Sequence, residues 1–244
     1  RKIHMNLMKK LKILDQFMVQ HFCEFSLIKN LARMFNSTIL VGLILSKYVG
    51  HQPLMTFPIQ NLPFSLSISS FRFTNFSNSA LFTQTVPHMK IERSIFSFFT
   101  RSPIVLARPN PFDPPNYEFR EVCDPDCTPM TGLTVRDVTF QRCSTIQYHQ
   151  PSEDLSDNKN VSGGAIYINS ITRPGSAVKI TQCNFLYCHA GRFGGALFIS
   201  NNANSGSVEI SFTYFQHCDV GFIINKTGIA WTAGGAIYCE TPSL

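Results

Sequence analysis

Apolar residues recur along the second half of the chain in a fixed pattern. We call it the strand template: aliphatic, gap, aliphatic, two gaps, inward residue, gap, Phe, two gaps, Cys. It is clearest in the segments 178–188 and 208–218. Period-two alternation within each copy predicts β-strands, because successive side chains leave a strand on opposite faces. The phase changes after Ile180 and again after Phe185, which predicts two bends in each copy.

Three more copies of the strand template lie towards the N terminus, beginning at Leu66, Met89 and Leu133. One slot holds phenylalanine in all five copies, at Phe73, Phe96, Phe140, Phe185 and Phe215. The last slot holds Phe76, Phe99, Cys143, Cys188 and Cys218. Stacked copies would bring equivalent residues to strand spacing, roughly 4.8 Å. We therefore expect one internal stack of Phe rings and a column of cysteines.

A second motif, Gly-Gly-Ala-aliphatic-aromatic, occurs three times in the C-terminal third. It reads Gly163-Gly164-Ala165-Ile166-Tyr167, Gly194-Gly195-Ala196-Leu197-Phe198 and Gly234-Gly235-Ala236-Ile237-Tyr238. Paired glycines suit a sharp turn with φ above zero or the close approach of a neighbouring backbone. With Ile166 facing inward, we expect Ala165 and Tyr167 to face outward. Tyr167, Phe198 and Tyr238 would then line an outer face.

Two template bends and one glycine bend predict a three-sided coil. One coil cannot bury its own apolar face, so the coils must stack. The uneven spacing of the copies predicts loops inserted at corners, in the segments 150–160, 201–206 and 219–232. The segment 101–129 contains seven prolines, so we expect an irregular excursion without helix or central strand.

The Gly-Gly-Ala-aliphatic repeat resembles that of the chlamydial polymorphic membrane proteins and of large surface proteins of protists such as trichomonads. That family pairs it with Phe-x-x-Asn. Here Phe140, Phe185 and Phe215 are each followed at the third position by Cys, which favours the protist-type variant. The resemblance covers residues 130–239 well and 64–100 poorly. It implies an all-β, right-handed parallel β-helix of the pectin-lyase-like kind over residues 61–244.

Residues 1–60 do not fit the strand template. Residues 1–35 show the pattern of a basic amphipathic helix, and Thr38–Leu45 is an apolar run too short to span a bilayer. Three interpretations remain open: a secretion signal in a chain with a mis-assigned start, a helical cap on the solenoid, or a membrane-surface helix. At the other end the chain stops just after a Gly-Gly-Ala strand, so we expect a truncated C terminus.

Composition supports a packed, nearly neutral repeat body. The 22 Phe in 244 residues agree with stacked internal aromatics. The net charge is +6, but residues 1–33 hold seven Lys and Arg against two acids, a net of +5 that leaves +1 for the rest. This balance excludes nucleic-acid binding by a basic face of the repeat.

Cysteines and sequons bear on the compartment. We expect Cys143, Cys188 and Cys218 to form a ladder of buried thiols, with disulfides or a metal site as the alternatives. Cys123 and Cys127 lie in the proline-rich segment, where a local disulfide fits better than zinc because no further ligands are near. Four triplets match the N-glycosylation pattern, at Asn36, Asn75, Asn160 and Asn225, and favour an extracellular or cell-surface location.

The sequence predicts no catalytic residue, no cofactor and no metal. Hydrolases on β-helices need clustered carboxylates, whereas the acids here fall mostly in two loops and not at regular outward positions. We therefore expect a structural or adhesive surface protein that presents variable loops to a protein or glycan partner. Any membrane contact would come through the N-terminal stretch or a segment outside this chain. The alternative is a polysaccharide lyase, a hydrolase or a sugar-binding β-helix.

Overall fold

The chain builds parallel β-sheets. A computed structural model describes residues 37–49, 53–57, 65–83, 88–107, 130–145, 162–170, 172–201, 207–221, 224–225, 228–229 and 233–240, and none of these residues is helical. The strands are, in chain order, β1 (Ser37–Val41), β2 (Ile44–Leu45), β3 (Met55–Phe57), β4 (Ser65–Ser69), β5 (Arg72–Phe76), β6 (Leu81–Thr83), β7 (His88–Phe99), β8 (Ile104–Ala107), β9 (Met130–Cys143), β10 (Ile166–Ser170), β11 (Thr172–Thr181), β12 (Asn184–Leu186), β13 (His189–Ala190), β14 (Leu197–Asn201), β15 (Ser207–Ser211), β16 (Tyr214–Gln216), β17 (Asp219–Val220), β18 (Ile224–Asn225), β19 (Gly228–Ile229) and β20 (Ile237–Glu240).

Two large sheets contain most of these strands. Sheet A has ten strands, with β1-β4-β7-β9-β11-β15 as its main path and the short strands β2, β5, β12 and β16 attached. Sheet B has six strands in the order β20-β14-β10-β8-β6-β3. The pairings in both sheets are parallel, and the chain passes from sheet A to sheet B six times. We call each pass a row and number the rows 1 to 6; they begin at β1, β4, β7, β9, β11 and β15, respectively. The described part of the chain is therefore all-β with parallel sheets.

The register of sheet A aligns the strand template from row to row. Phe73, Phe96, Phe140, Phe185 and Phe215 occupy matching positions; the last four rings stack, which confirms that part of the predicted internal stack, whereas Phe73 meets Phe96 edge-on at 79°. The ring centroids of Phe96 and Phe140 are 5.3 Å apart, those of Phe140 and Phe185 4.9 Å, and those of Phe185 and Phe215 4.9 Å. Parallel stacking of large apolar side chains on matching strands thus forms the centre of the core.

Each row bends where one residue adopts a left-handed backbone conformation. Among the described residues, ten other than glycine have φ between 48° and 60°, and they fall into two columns of five over rows 2 to 6. The first corner is Ser70, Arg93, Asp137, Gln182 and Phe212; the second corner is Asn75, Phe98, Arg142, Tyr187 and His217. The bends predicted after Ile180 and Phe185 are therefore confirmed, at Gln182 and Tyr187. Asn75, Asp137 and His217 are of types that tolerate this conformation, whereas the types of the other seven residues gave no hint of it; it costs most L-residues roughly 1–2 kcal/mol.

The paired glycines close the bend that leads into sheet B. Gly163, Gly194 and Gly234 have φ of 64°, 57° and 74°, as a sharp turn requires. Ala165 and Ala196 follow them and are fully buried in the main core. The expectation that Ala165 faces outward was wrong, because β10 begins only at Ile166 and the alternation of the strand does not extend back through the bend.

The repeat begins earlier than residue 61. Strand β1 pairs in parallel with β4, β2 with β5, and β3 with β6. Leu40, Leu43, Leu45 and Tyr48 pack against the core from this first row. The apolar run Thr38–Leu45, interpreted above as part of a signal or cap, thus lies in β1 and β2. Residues 1–36 are outside the described residues, so the helix and signal interpretations of that segment stay predictions.

The proline-rich excursion also begins later than expected. Ile104–Ala107 forms β8, a central strand of sheet B between β6 and β10, so the exclusion of a central strand from residues 101–129 was wrong at this point. Pro103 precedes the strand and its carbonyl accepts hydrogen bonds from Ala80 N and Leu81 N, a position where proline is tolerated. Residues 108–129, 146–161 and 202–206, which contain most of the predicted loops, are outside the described residues.

Candidate functional surface

The cysteine slot of the strand template has a packing role. Cys143, Cys188 and Cys218 are free thiols on consecutive rows, and each donates a weak hydrogen bond to the carbonyl of the template Phe one row back, at 3.6, 3.9 and 3.3 Å. Hydrogen bonding to the Cys143 side chain and burial raise the pKa of Cys188 well above its usual value. Hydrogen bonding to Cys188, together with burial, also raises the pKa of Cys218. Cys188 and Cys218 are therefore protonated thiols. Cys123 and Cys127 are outside the described residues.

The aromatic ladder of sheet B exists, but it is buried. Tyr167 stacks on Phe198 at 4.9 Å and Phe198 on Tyr238 at 5.4 Å. Tyr167 is only 3% exposed and Phe198 5%, and with Phe82 and Val105 they form a second apolar cluster. The expectation that these residues line an exposed outer face was wrong for Tyr167 and Phe198. Alternation along a strand shows which side a residue faces, but it does not show whether that side is covered.

The buried hydroxyl of Tyr167 makes the stability of the fold sensitive to alkali. Burial raises the pKa of Tyr167 from 10 to about 12, although the hydrogen bond donated by Asn169 Nδ2 lowers it. Because the folded pKa is the higher one, the stabilisation is complete below pH 10 and is lost as the pH rises to 12. We expect Tyr167→Phe to lose roughly 2 kcal/mol less stability than the parent between pH 9.5 and 12. Urea unfolding at pH 9.5 and 12 measures the difference; equal pH dependence in both proteins would contradict it.

Of the four predicted glycosylation sites, Asn75 is the one whose side chain is described. It is exposed at the second corner, with Nδ2 3.4 Å from the Ser46 carbonyl oxygen of the row before. Asn225 is the last residue of β18, and Asn36 and Asn160 are outside the described residues. Glycosylation at all four positions stays a prediction.

Carboxylates with described side chains are dispersed. Glu92 pairs with Lys90 at 3.0 Å, Glu209 with Lys179 at 3.3 Å, and Asp219 with His189. Asp137 is exposed at the first corner. No two of these four acids hold matching register positions. Within the described ranges there is also no group of three or more His, Cys, Asp and Glu that could hold a metal ion.

The pairing of His189 with Asp219 was missed by the sequence analysis. Ser144, His189 and Asp219 lie in register on three consecutive rows, and Nδ1 of His189 contacts Oδ1 of Asp219. A carboxylate can fix the ring of a histidine in this way. The pair links rows 5 and 6 outside the core. The three residues are 45 and 30 positions apart in the chain, so only the register of the rows reveals the column.

Exposed aromatic and basic side chains gather on one outer surface. We call it the corner strip: the outward residues of each row from its first corner to its second corner, both included. In row 1 the matching corner positions are Gly42 and Lys47. All four aromatic side chains that the described residues leave exposed lie on it, namely Phe98, Tyr187, Phe212 and Tyr214. Its charged residues are Lys47, Arg72, Arg93 and Arg142 against the single acid Asp137. The guanidinium of Arg142 lies 5.3 Å from the ring centre of Phe98, and Tyr187 stacks on His217 at 5.0 Å.

Comparison with known proteins identifies no relative. No protein-family model, no curated protein and no solved structure matches the chain. Among the described residues, no helix is long and apolar enough to cross a membrane. The geometry of the residues is therefore the basis for any statement about function.

Proposed function

We propose that this chain is a non-enzymatic structural or adhesive protein of the cell surface or extracellular space, built as a right-handed parallel β-helix. The observation that carries this proposal is the use made of the fixed repeat positions. The template Phe residues stack, the slot cysteines donate to neighbouring carbonyls, and the paired glycines turn the chain. Each recurring residue thus has a role in packing or turning, so partner contacts fall to exposed, variable positions.

The order of the strands supports the β-helix part of the proposal. The chain alternates between sheets A and B, and equivalent strands of successive rows are neighbours in both sheets. Parallel neighbours need long connections that leave and return to one sheet, and such connections are right-handed in nearly all proteins. The resemblance to surface-protein repeats, and the sequon at the exposed Asn75, favour secretion.

The dispersal of the acids supports the non-enzymatic part. Glycoside hydrolysis uses two carboxylates that face one bond, about 5–9.5 Å apart. In-register positions on neighbouring strands would be the simplest way to hold such a pair, and none of the four described carboxylates is arranged so. Three of them already contact a basic side chain.

An activity assay tests this proposal. Purified protein should release no reducing ends and no unsaturated products from polygalacturonate or other acidic polysaccharides. Product formation that disappears in Asp137→Asn would overturn the non-enzymatic assignment and favour a carbohydrate-active enzyme instead. Product formation that survives in Asp137→Asn and persists through repeated purification would overturn the assignment as well, with the catalytic residues elsewhere in the chain.

A further inference from the structure

We propose that the corner strip binds a linear acidic polysaccharide, a chain of sugar rings that carry carboxylate or sulfate groups. This inference rests on the proposed function, because it names the partner and the face of a protein that binds without turnover. It places recognition on the fixed corners of the rows, whereas the sequence analysis expected recognition by the variable loops.

The corner strip carries an excess of positive charge. Its four basic residues face one acid, and all of them are exposed. On the adjacent outward face of sheet A, Lys90 pairs with Glu92 and Lys179 with Glu209, and the exposed Arg136 donates a hydrogen bond to Gln182, so that face has less excess positive charge than the strip. An excess of guanidinium groups on one narrow surface attracts carboxylates and sulfates, which arginine can bind through two parallel hydrogen bonds.

The second argument is the choice of residues at strained positions. The left-handed conformation of the corners favours glycine and asparagine, and Gly42 and Asn75 hold it in rows 1 and 2. Five of the eight corner residues in rows 3 to 6 are aromatic or basic, namely Phe98, Tyr187, Phe212, Arg93 and Arg142; the others are Asp137, Gln182 and His217. Strain at exposed positions that the core does not need is a mark of functional sites.

The third argument is the shape of the exposed groups. Aromatic rings and guanidinium groups are planar and offer apolar faces, on which a ring with axial C–H groups can lie. The amides of Gln182, Asn184 and Gln216 lie between them and can hydrogen-bond hydroxyl groups, although the Oε1 of Gln182 already accepts a hydrogen bond from Arg136 Nε at 3.1 Å. The rows repeat at roughly 4.8 Å, and each row contributes at least one exposed basic or aromatic side chain. The strip can therefore contact a linear polymer along its length, with the basic groups in rows 1 to 4 and the aromatic groups in rows 3, 5 and 6.

Binding to a defined oligogalacturonate and a heparin oligosaccharide tests the inference, by calorimetry on the full chain made in bacteria. At least one should bind, with an affinity that falls as salt rises. Dextran should not bind, since it lacks charge, and poly-L-glutamate should bind at least about tenfold more weakly, since it lacks sugar rings. Failure of both acidic glycans, or equal affinity for poly-L-glutamate, would overturn the inference.

Variants can remove the binding groups without harming the fold. Arg142→Asn with Tyr187→Asn copies the residue that row 2 carries at the second corner, so the unfolding temperature should stay equal or rise. We expect glycan affinity to fall about tenfold from the loss of one ionic and one stacking contact. The matched control Lys179→Thr removes one positive charge from sheet A outside the strip and copies Thr134, its register partner, so affinity should change less than about twofold.

The outcomes separate the two proposals. An unchanged affinity in the double variant, or an equal loss in Lys179→Thr, would overturn the inference and leave the display function standing. Binding that requires the strip but is followed by cleavage of the glycan would support the inference and overturn the non-enzymatic function.

Discussion

Replacing Gly195 with alanine should lower the free energy of unfolding by about 3 kcal/mol or more, whereas the same change at Gly235 should leave it nearly unchanged. A Cβ on Gly195 would lie 2.5 Å from Asp219 N and 2.6 Å from Asp219 C, and nearer still to Asp219 O. These are backbone atoms of the next row, so they can move only if the rows separate.

The control lies in the same motif. A Cβ on Gly235 meets nothing within 4 Å, and its φ lies outside the left-handed region. Gly235→Ala should therefore be neutral or stabilise by up to about 1 kcal/mol. Gly164→Ala should resemble Gly195→Ala, because its Cβ would lie 2.7 Å from His189 O. Urea titration of the three variants measures the effect, and similar losses at Gly195 and Gly235 would contradict the assigned row contacts.

Removing the ring of Phe140 should have the largest effect among the core changes, a loss of about 3–5 kcal/mol for Phe140→Ala. Phe140 is completely buried and its ring stacks on both sides, against Phe96 and Phe185, with interplanar angles of 10° and 8°. Truncation would leave a cavity between two rings that strands on either side hold in place, so the site could collapse only partly.

The end of the stack provides the comparison. Phe215 is only partly buried, and among the described residues its ring stacks against Phe185 alone. We expect Phe215→Ala to cost about half as much as Phe140→Ala, since it removes one ring contact and less buried area. Chemical unfolding of both variants measures their losses in free energy of unfolding. A loss at Phe140 no larger than that at Phe215 would show that the rings do not form a continuous internal stack.

The sequence predicted the parts of the fold that depend on repeated apolar residues. The Phe slot and the alternation around it were enough to align rows 2 to 6 and to locate both corners, because burial forces the same residue class into the same position in each row. Row 1 was not recognised because Leu45 holds the slot that is Phe in the other five rows, and Tyr48 holds the slot that is Phe or Cys in them. Leu45 and Tyr48 still pack against the core there, but their residue types do not identify the template.

The candidate site was harder to predict than the fold. Arginine and tyrosine have no preference for a left-handed backbone, so the identity of corner residues such as Arg142 and Tyr187 indicated neither that conformation nor a common surface. The strip appears only once the register places residues 45 or 30 positions apart side by side. Burial of the Tyr167 ladder likewise depends on groups that pack over sheet B, such as Phe193. Alternation along the strand gives no information about such groups.

The rows stack in register, and the rest of the structure depends on this. Methyl NOE spectroscopy on the folded protein tests the register most directly. Val135, Ile180 and Ile210 are successive members of one inward column of sheet A. We predict strong cross-peaks between methyl groups of Val135 and Ile180 and between those of Ile180 and Ile210. The Val135–Ile210 peak should be weak or missing, because two rows span roughly 10 Å. A strong Val135–Ile210 peak, or no contact of either residue with Ile180, would contradict the stacking.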